Sequence, residues 1–283
     1  MARASTPTGL GRRSRRLSDQ ETRDRMLRTA LEMINRTGLT VSLDHIRFED
    51  VIRDADVSRS TAYRHWPYRD LFFSDLVKEL AGAAVPGIVN DEISLIRRIL
   101  DEHRDWLKTP QLRHELILEL IRQLALLDFR SVLASPGWRT YLALHATFTG
   151  LADGELRDQV QAALGQAEAA HAARVAEAWR LIAGLFGYRL RPELATSFTA
   201  LATLLGASLR GLVITALSTP EVAASRTVAA PFGAAGEREW SLPAIGAASL
   251  ALAFLEPDPA ATWDDRRLAE IHQVLDDWVT PQP

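Results

Sequence analysis

Polar side chains with short hydrogen-bonding tips are concentrated between residues 59 and 69 of this 283-residue chain. Their hydroxyl, imidazole and guanidinium groups can donate to phosphate oxygens and to the edges of nucleic-acid bases. The group comprises Arg59, Ser60, Thr61, Tyr63, Arg64, His65 and Arg69. Any one of these residues taken singly is more often a solvated or core side chain, so it is their joint spacing that indicates a binding surface.

Four of these residues are candidates for contacts with phosphate. Thr61, Tyr63 and His65 lie on one predicted helix and carry compact donors that can reach phosphate oxygens. Arg69 stands near the start of the following helix, where its guanidinium can hold a phosphate through two hydrogen bonds. Such contacts position a protein on DNA without reading its sequence.

The first turn of the same predicted helix holds Arg59 and Ser60. This is the part of a recognition helix that meets base edges, and arginine is the side chain best matched to guanine O6 and N7. We therefore predict that Arg59 reads sequence. Arg64 follows five residues later, about 500° round the helix, so it is predicted to point away from those base edges and to touch the DNA backbone.

Two short helical periods position these side chains. Phe48, Val51, Ile52 and Ala55 mark one helical face, and Ser58 is a good N-cap for the next helix. About three residues join the two helices. This spacing is typical of a helix-turn-helix, which places its second helix in the major groove.

A basic arm and a capped helix precede this unit. Residues 1–17 are rich in Arg, Ser, Thr, Gly and Pro and are predicted to form a flexible arm. The arm carries Arg12, Arg13, Arg15 and Arg16. Two interpretations of it stay open, a solvated tail and a DNA contact. Ser18 and Glu21 then form a capping box, which predicts a helix that ends at Gly38.

Residues 48–73 resemble the helix-turn-helix signature of the TetR family of transcriptional regulators. The matching features are Val57-Ser58, Thr61, Tyr63, His65, the aromatic Trp66 and the basic-acidic pair Arg69-Asp70. The resemblance covers about the first 80 residues. It implies a three-helix DNA-binding domain, assigned to residues 18–85, and a larger helical regulatory and dimerisation domain, assigned to residues 86–283.

This chain departs from the family pattern at three places. Asp56 stands in the turn where the family commonly has glycine, which implies some strain if the backbone there is left-handed. Arg47 and Phe48 occupy the start of the second helix, where the family often has a threonine, so a phosphate contact from there is in doubt. The connection over residues 38–46 is also longer than usual.

The remaining chain predicts an all-α fold, because helical periods dominate from Glu92 onward and strand-like alternation is nearly absent. The predicted helices lie near residues 92–108, 112–134, 138–151, 154–186, 192–217, 243–255 and 264–279. The segment 218–241 is rich in Pro, Gly and Ala and is predicted to be a long loop.

The resemblance implies that this second domain forms a dimer through two late helices and encloses a pocket for a small effector. The dimer candidates are residues 154–186 and 192–217, whose small residues permit close approach; packing inside one subunit is the alternative. These small residues are Ala162, Ala163, Ala169, Ala173, Gly206, Ala207 and Gly211. Aromatic residues of the central helices could line an apolar pocket with a polar handle, although such residues are more often core. They are Trp106, Phe129, Trp138, Tyr141, His145, Phe148 and Trp179.

Charge and composition restrict the classes of function. Residues 1–70 hold 14 arginines and 10 acidic residues, a net charge of +4, whereas the whole chain has −3. This asymmetry indicates a polyanionic partner for the first part alone. The chain lacks cysteine, which excludes disulfides and thiolate chemistry. The apolar stretch 194–217 could span a bilayer, but it contains Arg210, so a buried helix of a cytoplasmic protein is expected instead.

We therefore predict a sequence-specific DNA-binding regulator, a repressor that binds a roughly palindromic duplex as a homodimer. A small apolar effector is expected to lower its DNA affinity. No catalytic residue, metal ligand or cofactor is predicted, because the chain lacks a glycine-rich phosphate loop, a GxSxG elbow and an HExxH motif. The alternatives are an all-α ligand-binding or adaptor protein without DNA binding and, less favoured, an enzyme.

Overall fold

The computed structural model describes residues 18–37, 46–83 and 90–277, and within them the protein is mostly helical, which confirms the all-α prediction. The helices are α1 Asp19–Thr37, α2 Phe48–Asp54, α3 Arg59–His65, α4 Arg69–Ala83, α5 Asn90–Glu102, α6 Pro110–Ala134, α7 Pro136–Thr149, α8 Glu155–Leu185, α9 Phe198–Ser218, α10 Glu221–Ala224, α11 Leu242–Phe254 and α12 Asp265–Asp277. The predicted basic arm and most of the predicted long connection lie outside the described residues.

Hydroxyl side chains fix where many helices begin. The predicted capping box is confirmed, since the amide of Glu21 donates to Ser18 Oγ at 3.1 Å and the amide of Ser18 donates to the Glu21 carboxylate at 2.7 Å. Ser58 Oγ accepts from the amide of Thr61 at 3.2 Å and begins α3, as predicted. The same cap begins α6, α7, α9 and α11, at Thr109, Ser135, Ser197 and Ser241.

Four short strands interrupt the helices. Strand β1 Tyr188–Leu190 pairs antiparallel with β4 Leu255–Pro257, and β2 Arg226–Ala229 pairs antiparallel with β3 Arg238–Ser241. The prediction of one long loop over residues 218–241 is therefore wrong, because this segment contains α10 and the β2–β3 hairpin. The two strands of the hairpin are only four residues long, and the Pro- and Gly-containing turn between them dominates the composition of the segment. The hairpin is nevertheless anchored in the protein, since Trp240 is buried.

Two apolar cores run through the molecule. The first lies among α1 to α4 and continues into α7, the start of α8 and the end of α9. The second lies among α5, α6, α11 and the start of α9. Helix α4 packs on α7 and α8, and α1 packs on α7, so the four N-terminal helices share a core with the helices that follow.

A buried ionic network joins the hairpin to α6. The guanidinium of Arg238 lies 2.7 Å from the carboxylate of Glu115 and 3.8 Å from that of Glu119, and only 3% and 6% of these acidic side chains are exposed. The backbone amide of Ala235 also donates to Glu115, and Arg122 donates to Glu119 at 2.6 Å. Arg238 of the hairpin and Arg122 of α6 together thus balance the charges of two carboxylates that lie inside the protein.

Helix α9 is mostly apolar, apart from Arg210 and several hydroxyl residues, and is covered on one side only. Among the described residues it is the helix long and apolar enough to cross a membrane, and 22% of that window is buried. The expectation of a buried helix is therefore wrong for its outer face. Leu204, Ile214 and Leu217 are 44%, 53% and 50% exposed, because no other part of the described chain packs over them.

Candidate nucleic-acid interface and cavity

The turn between α2 and α3 depends on one residue with a left-handed backbone. Asp56 has φ +52°, the left-handed conformation that glycine adopts most readily. Aspartate tolerates this region better than most residues, and its flanking residues Ala55 and Val57 are buried beneath the turn. The predicted strain at Asp56 is thus located, and the turn still brings α3 across α2.

Helix α3 turns a polar face to solvent and one small residue to the core. Ala62 is fully buried, while Arg59, Ser60, Tyr63 and Arg64 are exposed. An alternation of this kind leaves the first turn of α3 accessible to a large partner.

Two hydroxyl groups beside this face are held by the cap of α3. Thr61 is half-buried, and its Oγ1 lies 2.7 Å from Ser58 Oγ. Ser60 Oγ lies 3.1 Å from the same oxygen. The cap therefore orders the hydroxyls of both predicted site residues before any partner binds.

Glu49 interacts with three of the predicted site residues, Arg59, Tyr63 and Arg69. The hydroxyl of Tyr63 donates to Glu49 Oε1 at 2.9 Å, and this bond raises the pKa of Tyr63. The pKa of Glu49 is lowered by its own backbone amide first, then by Tyr63, and further by the charges of Arg59 and Arg69. Arg59, Tyr63 and Arg69 therefore share one surface with Glu49.

Phe48 supports this surface from beneath. Its ring lies 5.4 Å from the ring of Tyr63, 6.3 Å from that of Trp66 and 4.9 Å from that of Phe72. Only 2% of Phe48 is exposed, so this residue at the start of α2 is a core aromatic. His65 is half-buried, with its ring 4.3 Å from that of Trp66.

Arg64 is engaged within the protein. Its Nη2 donates to Asp19 Oδ1 at 2.8 Å, which joins the end of α3 to the first turn of α1. Arg69 is different, because 79% of its side chain is exposed and its nearest acidic partner, Asp70, lies 3.6 Å away. The prediction that Arg64 touches the DNA backbone stays a prediction, and such a contact would have to compete with Asp19.

Guanidinium and hydroxyl donors thus meet on one accessible face beside the turn that joins α2 to α3. Phosphate oxygens and base acceptors are the groups that such donors fit. No protein-family model and no curated protein matches this chain. Acidic groups also lie on the face, at Glu49 and Asp70.

A second candidate site is a cavity of about 300 Å³ enclosed mainly by α5, α6, α8, α9 and α11. Its walls are largely hydrocarbon, from side chains such as Ile117, Leu124, Ile182 and Leu205. Two of the seven predicted pocket residues, Trp138 and Trp179, line it. Sequence patterns thus predicted a cavity in this region but not most of its lining.

The other predicted pocket residues lie outside the lining. Phe129 is 1% exposed and belongs to the first core. Trp106 lies in a 3-10 turn, where His103 stacks on its ring at 3.9 Å and the guanidinium of Arg238 lies over it at 5.2 Å. Helical spacing predicted that both rings face the pocket. Instead, Phe129 on α6 packs in the first core, and Trp106 in the 3-10 turn packs against His103 and Arg238.

Three residues of α7 are likewise used elsewhere. Tyr141 accepts a hydrogen bond of 2.7 Å from Arg210 Nη1, and the ring of His145 lies 4.4 Å from the ring of Tyr141. Burial lowers the pKa of His145, and the charge of Arg210 adds to this effect. The ring of Phe148 lies beneath the guanidinium of Arg157 at 4.8 Å.

Two carboxyl groups that sequence reasoning did not select face the cavity. Glu92 comes from α5 and Asp128 from α6, and neither makes a hydrogen bond or an ion pair within the described part of the chain. Burial raises the pKa of Asp128 to about 6. Burial, followed by the charge of Asp128, raises the pKa of Glu92 to about 7. A signal existed in the sequence, because Asp128 interrupts the apolar row of Ile121 and Leu124 on α6.

Replacing Asp128 with asparagine is expected to stabilise the protein at pH 8 and to leave it nearly unchanged at pH 4. The carboxyl has a folded-state pKa of about 6, above its ordinary value of 3.8, so stability falls as the pH rises from 3.8 to about 6 and the full cost is present above that range. We expect a gain of about 1 to 2 kcal/mol at pH 8, less than the full shift implies because Asp128 is only half-buried. Urea unfolding at both pH values measures it.

Asp91→Asn is the matched control for this measurement, because Asp91 lies on the exposed side of α5. It should change the free energy of unfolding equally little at both pH values. An Asp128→Asn variant with no gain at pH 8 would show that solvent screens the carboxylate fully.

Proposed function

We propose that this protein is a sequence-specific DNA-binding transcriptional regulator, a repressor of the TetR type. The observation that carries the proposal is the joint exposure of Arg59, Tyr63 and Arg69 on one face of the α2–α3 unit. Arg59 forms no ion pair with a described residue and is free to reach a base edge, where arginine favours guanine. Arg69, whose guanidinium is exposed, supplies a phosphate contact.

Tyr63 and Glu49 would change partners on DNA. A phosphate oxygen accepts hydrogen bonds but cannot donate them, so the Tyr63 hydroxyl would turn from Glu49 to the phosphate. Glu49 would then lose one partner and face a like charge. Arg59 and Arg69, whose charges already act on Glu49, would offset part of that cost.

Homodimer formation is supported by the uncovered faces of α8 and α9. Leu204, Ala207, Gly211 and Ile214 follow one another at helical spacing on the exposed side of α9. On α8, the candidates Ala162, Ala169 and Ala173 are exposed and Ala163 is half-buried. A symmetric pair of such faces would set two α3 helices on one palindromic site.

Gly206 has a use within one subunit. A Cβ atom there would lie 3.2 Å from Arg210 Nη2, and Arg210 Nε donates to the carbonyl of Gly206 at 3.2 Å. The small residue thus makes room for a guanidinium. Of the two interpretations of this glycine, packing inside the subunit is the one supported by these contacts.

The cavity is proposed to hold an effector that lowers DNA affinity. Trp138 of α7 and Trp179 of α8 line it, and both helices pack against α4, which begins with Arg69. A ligand that favours the conformation in which the two α3 helices no longer match the DNA would release the protein. A coupling of about 1 to 3 kcal/mol would lower affinity roughly 5- to 150-fold.

A second function is favoured by the acidic groups on the proposed interface. Glu49 and Asp70 lie beside the donors, and Arg64 is paired with Asp19. Such a balance of charges would suit an all-α ligand-binding or adaptor protein that does not bind DNA.

Retardation of the DNA upstream of its own gene is expected for the full-length protein and separates the two functions. Binding should weaken linearly with the logarithm of the salt concentration, because phosphate contacts release counterions. A scrambled duplex of equal length is the control, and sedimentation of the complex should give two chains for each duplex. The proposal fails if neither DNA is retarded at about 50 mM salt, or if the protein is a monomer both free and bound.

A further inference from the structure

The cavity contains two carboxyl groups whose negative charges are not balanced by a neighbouring cation. The carboxyl groups of Glu92 and Asp128 enter it from two different helices, close enough for the charge of one to act on the other. Neither has a cationic or hydrogen-bonding partner within the described residues. A buried carboxylate without a partner is strongly disfavoured, and the raised pKa values of both groups reflect that cost.

The positive groups of the cavity are already used or neutral. Arg210 donates two hydrogen bonds to the carboxylate of Glu168, at 2.8 and 2.9 Å, and one to Tyr141. Its Nε donates to a backbone carbonyl, so little of this guanidinium remains for a ligand. Burial, followed by the charge of Arg210, lowers the pKa of His171, which keeps this imidazole neutral at pH 7. An anionic ligand would therefore find no free cation there.

The walls also suit a cation with a hydrocarbon body. Trp138, Trp179 and Tyr188 supply aromatic rings, and aromatic faces attract organic cations, tryptophan most strongly. The volume of about 300 Å³ fits a ligand at the small end of the usual range.

We propose that the cavity binds a small lipophilic organic cation, with Glu92 and Asp128 as its counter-charges. This deepens the effector role proposed above and rests on it only for the consequence in DNA binding. The cation supplies the charge that the two carboxylates lack, while its hydrocarbon part replaces water against the apolar walls. Specificity between ligands of one shape then comes from charge.

Three probes of nearly one shape test this by calorimetry on the full-length protein without DNA. They are (naphthalen-1-ylmethyl)trimethylammonium, its uncharged carbon analogue 1-neopentylnaphthalene, and the anion 1-naphthylacetate. At pH 8 the ammonium should bind at least about tenfold more tightly than the neutral analogue, since a buried opposite charge contributes on the order of 1.4 kcal/mol or more. The anion should bind most weakly.

Neutral variants of the two carboxyl groups identify the counter-charges. Glu92→Gln and Asp128→Asn should each weaken the ammonium by about tenfold and leave the neutral analogue within about twofold. Asp91→Asn, on the outside of α5, should change neither. If the variants weaken both probes alike, or if the anion binds best, the proposal is wrong.

Acidity provides an independent readout, because a quaternary ammonium keeps its charge at every pH. Its affinity should fall as the pH drops from 8 to 5 and Glu92 and Asp128 become protonated, while the affinity of the neutral analogue should stay constant. Among the other groups at the cavity, Tyr188 stays protonated over this range because burial raises its pKa to about 12. A proton gained by His171, whose pKa burial lowers, would act in the same direction, so the pH series is repeated with Glu92→Gln/Asp128→Asn, in which the change should disappear. An ammonium affinity independent of pH would overturn the assignment.

Failure of this proposal and failure of the DNA-binding proposal give different results. An ammonium that binds through Glu92 and Asp128 to a protein that never retards DNA supports the cavity assignment and refutes the regulator. DNA retardation by a protein whose cavity prefers neutral or anionic probes refutes the cation and leaves the regulator standing.

Discussion

Arg238→Ala is expected to lower the free energy of unfolding by about 3 kcal/mol, because it leaves Glu115 and Glu119 buried without the hairpin's cation. Glu115 would keep one backbone donor, and Glu119 would keep Arg122. A carboxylate in that position must either remain charged at a high cost or take up a proton. Equilibrium urea unfolding at pH 7 measures the loss.

An exposed ion pair provides the control. Arg180 and Glu177 approach to 2.5 Å, yet both side chains are 55% exposed, so Arg180→Ala should lower the free energy of unfolding far less than Arg238→Ala does. The double variant Glu115→Gln/Arg238→Met should recover part of the loss, since no unpaired charge stays buried. Equal costs for Arg238→Ala and Arg180→Ala would contradict the assignment of a buried network.

Arg59→Ala is expected to weaken binding to the preferred DNA sequence by about 1 to 3 kcal/mol and to relax the preference at one base position. The reason is that Arg59 stands in the first turn of α3 with its side chain exposed. Selection of bound duplexes from a random pool, followed by titration of the preferred sequence, measures both changes.

Arg69→Ala and Tyr63→Phe should act differently, because phosphate contacts carry no sequence information. Each should weaken binding to all duplexes alike, and Arg69→Ala should also reduce the salt slope by about one. Arg53→Ala is the control, since Asp50 and Asp54 hold that guanidinium at 2.8 and 3.0 Å. An unchanged preferred sequence with Arg59→Ala would refute the role given to Arg59.

Local signals predicted much of the fold. The caps at Ser18 and Ser58 act within three residues of sequence, so the starts of α1 and α3 were predictable. The turn at Asp56 was predictable from a family pattern, because its backbone angle is a property of one residue. Strands β1 and β4 were not, since their pairing brings together residues more than 60 positions apart in the chain.

The packing of the helices that follow α4 was far less predictable. Aromatic spacing identified Trp138 and Trp179 but could not separate them from Phe129, because one helical face can meet both a cavity and a core. Glu115 has partners because the hairpin packs on α6, whereas Asp128 has no ion pair or hydrogen bond among the described residues because it faces the cavity between α6 and α5. Nothing within four residues of either carboxyl group specifies which of them receives a cation.

The core shared by α1, α4, α7 and the start of α8 limits how this protein can be recombined. Residues such as Met26 and Leu76 belong to the same apolar cluster as Trp138 and Leu164. A chimera that exchanged the first 85 residues alone would place foreign side chains against α7 and α8. Changes meant to alter what the proposed interface binds are therefore better confined to the exposed positions of α3, and a transplanted N-terminal unit should carry α7 and the first turns of α8 with it.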